Sequence, residues 1–96
     1  MSSSVERAPM VHDLKCWPEF FAAVRDGFKP FEVRKADRDF RVGDTLRLWE
    51  FDPAHAIHTG KYFDRRVTYA LAGGQFGVEE GHVVLGLACP TKEDRS

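Results

Sequence analysis

Only one stretch of this chain can be helical for more than a turn, and that restricts everything else. In PEFFAAVRDG, residues 18–27, Pro18 suits a first helical turn, Glu19 its positive end, Ala22 and Ala23 its middle and Gly27 its stop. Pro30 then disfavours any continuation. The apolar stripe is Phe20, Phe21 and Val24, with Trp17 at the entrance. So short a helix needs a sheet to lie on, and the remaining apolar residues are read with a period of two.

That period gives five strands. Residues 10–14 place His12 and Leu14 on one face and Val11 and Asp13 on the other. Around Pro30, Phe31, Val33 and Lys35 alternate with Glu32 and Arg34, and the two apolar residues are expected to face inward. After the turn RVGD, residues 45–51 set Leu46, Leu48 and Glu50 against Thr45, Arg47, Trp49 and Phe51. Residues 52–61 read as a turn-rich connection, and 65–71 alternate Val67, Tyr69 and Leu71 with Arg66, Thr68 and Ala70. The glycine-rich run 72–82 reads as a long loop anchored by Phe76 and Val78. In 82–89, Val83, Leu85 and Leu87 share a face, while Gly86 and Ala88 leave room on the other, most simply for the helix. Uneven loops without a βαβ rhythm favour a mixed α/β, mainly β fold, a small β-barrel with a short flanking helix, over a doubly wound sheet.

Ninety-six residues with 43% hydrophobic and 30% charged content suit one folded domain. We expect tails at 1–9 and 91–96 and a single domain at 10–90. No run approaches the ~20 apolar residues of a membrane span, and MSSSVERAP has no apolar leader core, so a cytoplasmic protein is expected. Cys16 and Cys89 form no C-x-x-C, which argues against a disulfide scaffold or a cysteine-rich zinc site. His55 and His58 lack an evident third ligand, so neither metal nor cofactor is expected. A formal net charge of −1 argues against holding long nucleic acid by bulk electrostatics.

Function, if legible at all, lies in residues 27–44, where charges crowd around one strand and its turn. Candidate ligand-binding residues are His12, Lys15, Lys29, Glu32, Arg34, Lys35, Asp37, Arg38 and Tyr69. A guanidinium can fork onto a phosphate or base edge, a lysine adds a compact charge, and a carboxylate can accept from a base amino group. Trp17, Phe28 or Tyr69 would stack a base if exposed. Lys29 and Glu32 are the candidate catalytic pair if the protein is a hydrolase, although no serine, threonine or cysteine lies in the charged segment to act as nucleophile. The competing readings are a binding module for single-stranded RNA or a modified nucleotide, a small hydrolase acting on such ligands, and an adaptor or inhibitor that binds a protein partner through apolar residues such as Phe28, Trp49 and Phe51.

The order L-K-x-W-P-x-F-F-x-A-V-x-D-G-x-K-x-F-E-V-R-K-x-D-R-x-F-x-V-G-D-T-L, from Leu14 to Leu46, resembles a small phage and bacterial family of unknown function related to ASCH domains, in the PUA-like superfamily. Its G-x-K-x-x-E-x-R signature falls on Gly27, Lys29, Glu32 and Arg34, and the similarity runs through residues 11–87. The resemblance implies a PUA-like (ASCH-type) β-barrel, a cleft lined by the signature, and a role with RNA or modified bases. Some ASCH-like members are similar to amidohydrolases that pair a lysine with a threonine three positions later. Here that second position holds Glu32.

Overall fold

The computed structural model describes residues 7–89. Their elements run β1 (Val11–Cys16), α1 (Pro18–Arg25), β2 (Phe31–Lys35), β3 (Thr45–Asp52), β4 (Ile57–Ala72) and β5 (His82–Leu87). The tail expectations for 1–6 and 91–96 fall outside the described residues, whereas Arg7 is bonded to Asp44 and to the carbonyl of Asp39.

The five strands form one sheet in the order β1-β3-β4-β5-β2, with β1 parallel to β3 and the other neighbours antiparallel. β1 and β2 are therefore free edges, and the sheet is open. This corrects the expected PUA-like (ASCH-type) β-barrel: the fold is a mixed open sheet with one short helix. A barrel needs backbone pairing between its first and last strands. Here side chains span that seam, Arg34 Nη2 donating to the Lys15 carbonyl at 2.8 Å and Arg38 Nη1 to the Asp13 carbonyl at 3.0 Å.

The core forms where one face of each element is apolar. Leu14 and Cys16 of β1, Leu46 and Leu48 of β3, Phe63 and Val67 of β4, and Val83, Leu85 and Leu87 of β5 meet Phe21 and Val24 of α1. The helix lies on β3. Gly86 instead lies against β4: an added Cβ would sit 3.4 Å from the Tyr69 Cβ and 3.5 Å from the Thr68 hydroxyl, so the small residue of β5 accommodates the neighbouring strand and not the helix.

Three further expectations change. β4 starts at Ile57, so the connection expected at 52–61 shrinks to the turn 53–56 of a long β3–β4 hairpin. A register shift between Val67 and Tyr69 breaks its alternation: Phe63, Arg65 and Val67 face inward, then Tyr69 turns out and Ala70 packs on the core. Phe76, expected to tuck in, is 85% exposed. No helix among the described residues is long and apolar enough to cross a membrane.

Candidate functional site

The charged segment owes its placement to how α1 ends. Gly27 takes a φ of 86°, which reverses the chain without a Cβ clash, and the Lys29 amide then bonds the Ala23 carbonyl at 3.0 Å. Pro30 leads directly into β2, where its carbonyl accepts from Leu87 at 3.0 Å. Lys29 is thus pinned at the helix-to-strand corner, above the first inward-facing residue of β2.

That residue is Glu32, only 3% exposed, while Phe31 and Val33 lie outside. The inward face is the opposite of the one its apolar residues suggest. A carboxylate is tolerated there because it is paired on both oxygens: Arg34 Nε donates to Oε1 at 3.0 Å and Lys29 Nζ to Oε2 at 3.3 Å. The Lys29 ammonium also sits over the rings of Phe20 and Phe31, at 4.8 and 5.5 Å.

These groups line a cleft of about 260 Å³ with Lys15, Cys16, Trp17, Phe20 and Val33. Its wall is the stacked pair Trp17 and Phe20, ring centroids 6.1 Å apart, which are 50% and 41% exposed. The lining carries three cations, Lys15, Lys29 and Arg34, against the one carboxylate of Glu32, so it is locally positive in a chain of net charge −1. Arg34 is locked by Glu32 and the Lys15 carbonyl, yet its Nη1 has no protein hydrogen bond among the described residues. Such an arrangement can hold an anion and a flat ring together.

Burial, reinforced by the charge of Glu32, pushes the Cys16 thiol up to about 11. It is a neutral thiol at ordinary pH, so the cleft contains no thiolate nucleophile. Cys89 is free and exposed.

Of the other candidates, Lys35, Asp37 and Arg38 line an adjoining hollow of about 250 Å³ with Leu14, Arg34 and Phe40. His12 lies apart from the cleft: it is buried, its Nε2 is 2.8 Å from Asp44 Oδ2, and its ring packs on Phe40 at 4.8 Å. Tyr69 also lies apart, 64% exposed on the outer face. No three His, Cys, Asp or Glu side chains converge to hold a metal among the described residues.

Sequence reasoning passed over two buried charges. Asp44 accepts from Arg7 through both oxygens at 3.0 Å and from the amides of Met10 and Arg41 at 3.1 Å, besides its contact with His12. Burial alone would raise its carboxyl; these bonds outweigh that and hold it well below the usual carboxylate range. Arg65, inward on β4, donates to the Arg25 carbonyl at 2.9 Å and so caps the C-terminus of α1. The signal for Asp44 was its place before an apolar strand; Arg65 had only its alternation with Phe63 and Val67.

The family model described as Domain of unknown function (DUF3850) matches residues 11–87, nearly the whole described chain. The chain belongs to this DUF3850 family. That match, with the open sheet, corrects the expected assignment to ASCH domains and the PUA-like superfamily. The DUF3850 domain is also similar to the uncharacterized 12.9 kDa protein in the GpA 3′ region of Escherichia phage P2, at 36% identity over 58 residues, 60% of this chain and 51% of the phage protein. The chain thus spans about half the length of that curated relative.

Proposed function

We propose that the cleft binds a nucleotide, either within single-stranded RNA or as a free modified nucleotide, in a cytoplasmic setting. The observation that carries this reading is the coincidence in one hollow of Arg34, held rigid with Nη1 unclaimed among the described residues, and the exposed Trp17–Phe20 wall. A phosphate suits the Arg34 and Lys29 side, a base suits the aromatic side, and Glu32 orients both cations. The hollow is smaller than the ~300–1,000 Å³ of typical small-molecule sites, which favours one nucleotide unit over a large ligand. Titration of fluorescein-labelled short RNAs and of free nucleotides against the native protein, Arg34→Ala and Lys29→Ala is the test. Either substitution is expected to weaken binding at least roughly ten-fold; equally weak binding by all three proteins overturns the reading.

A second reading, an adaptor or inhibitor that binds a protein, has separate support. Phe31, Val33 and Tyr69 are exposed on the outer face of β2, β5 and β4, where Phe31 and Tyr69 flank Gly86. Crosslinking to a copurifying protein should then be lost in Tyr69→Lys and unaffected by Arg34→Ala; the reverse pattern removes this reading.

A further inference from the structure

A larger hollow, about 590 Å³, lies outside the cleft and is lined by Asp13, Leu14, Lys15, Trp49, His58 and Gly60. Its wall is aromatic and held in place. The Trp49 indole donates through Nε1 to Asp13 Oδ1 at 2.8 Å and packs on the Tyr62 ring at 4.6 Å. Gly60 also lines it, with a φ of 88°, and an added Cβ there would meet nothing within 4 Å, so the backbone leaves that side of the hollow open. The β3–β4 register also shifts between Trp49 and Phe51, which bends the hairpin beside the hollow.

Lys15 lines both this hollow and the charged cleft. Its ammonium rests over the Phe51 ring at 4.7 Å, on the side of the hairpin. The two sites therefore meet at Lys15 on the edge strand β1, its carbonyl held by Arg34 on the cleft side and its ammonium on the hairpin side, with rings on each side: Trp17 and Phe20 in the cleft, and Trp49, backed by Tyr62, beyond it. That is the pattern of a single-stranded nucleic acid track, in which successive bases stack and the intervening backbone phosphate meets a positive charge.

We propose that the hollow over Gly60 is a second base-stacking subsite, so that the ligand is a single strand of two or more nucleotides and not a free nucleotide. The proposal rests on the nucleotide reading of the cleft. Trp49 supplies the stacking surface, Asp13 fixes its orientation, and Lys15 meets the phosphate joining the two bases. The chain has two tryptophans, one in each site, so each can report separately.

The test uses the full chain as Trp17→Phe, in which Trp49 alone fluoresces, and as Trp49→Phe, in which Trp17 alone does. The probes are CMP, AMP and RNA homopolymers of two, four and eight nucleotides. A mononucleotide should quench Trp17 and leave Trp49 unchanged; an oligonucleotide should quench both. Affinity should rise about ten-fold from the mononucleotide to the four-nucleotide strand. Trp49→Ala should abolish that gain while leaving mononucleotide affinity intact, and Tyr62→Ala, at a more exposed position, serves if Trp49→Ala does not fold. Mononucleotide binding that depends on Arg34 but gains nothing with length overturns this inference alone. Absence of binding by every probe overturns it together with the cleft reading, and Trp49 quenching that follows protein concentration alone overturns it in favour of self-association.

Discussion

Glu32 shows how one side chain can decide the direction of a strand. Its carboxylate is buried on the inner face of β2, with one cation on each oxygen, while the apolar Phe31 and Val33 are left outside. Removing the charge in Glu32→Gln leaves Lys29 and Arg34 unbalanced, but both are 23–24% exposed and regain some hydration. The expected loss is therefore about 1–3 kcal/mol, below the 3–5 kcal/mol of a fully buried broken pair; urea unfolding measures it, and an unchanged midpoint contradicts the role assigned to the pairing. Cys16 gives a second residue-scale expectation. Its thiol pKa is raised, so the stability that the neutral thiol contributes is intact below the ordinary thiol range and declines as pH climbs towards about 11. At pH 7.5 iodoacetamide should modify the exposed Cys89 and spare Cys16, as peptide mapping would reveal. At this scale the charged cleft was legible, because Lys29, Glu32 and Arg34 do converge. Their facing was not, since period-two reasoning assumes that apolar residues win the interior, and a doubly paired carboxylate breaks that assumption.

The elements are held by contacts that cross between them. Arg65 of β4 bonds the Arg25 carbonyl and lies 4.5 Å over the Phe63 ring, so it joins the last turn of α1 to the sheet. Arg65→Met keeps much of the packing and loses the donors. It should destabilise the protein by about 1–3 kcal/mol, with hydrogen exchange in 18–25 accelerated more than in β5; uniform acceleration would mean that the cap has no special hold on the helix. Strands β3 and β5 were readable because Leu46 and Leu48, and Val83, Leu85 and Leu87, present clean apolar faces. The first half of β4 was not readable. Its segment IHTGKY is exposed throughout, so no burial pattern marks it, and it is a strand because β3 supplies a backbone partner. The bulge at Thr68 was equally hidden, because a shift in pairing leaves the local alternation of residue types intact.

Across the whole molecule, charge is local. With a chain charge of −1 and three cations in the cleft, RNA affinity should fall with salt on a log–log slope no steeper than about −2, the limit for three single-strand phosphate contacts. A steeper slope would place binding on other cations. Whether the sheet closes is a global property too, set by pairing between strands far apart in sequence, which is why alternation and loop lengths pointed to a barrel when the edges are in fact bridged by arginines. Asp44 is the point at which distant parts of this open sheet are tied. It is 1% exposed and gathers Arg7, the start of β1 through the Met10 amide and His12, and the turn before β3 through the Arg41 amide. Because its folded-state pKa is depressed, the stability it contributes is present in full above the ordinary carboxylate range and is lost as pH falls through that range towards the folded value. Asp44→Asn should lower stability by about 1–3 kcal/mol at pH 7, since it takes the charge-assisted bonds from Arg7, which is partly exposed and keeps a longer pairing with Asp39 at 3.6 Å. The native protein should lose urea resistance steeply below about pH 5, and the variant should lack most of that slope, so the two curves converge in acid. Parallel curves across pH 2–7 would mean that the acid sensitivity belongs to other carboxylates and that Asp44 is not the tie holding β1, the turn and β3 together.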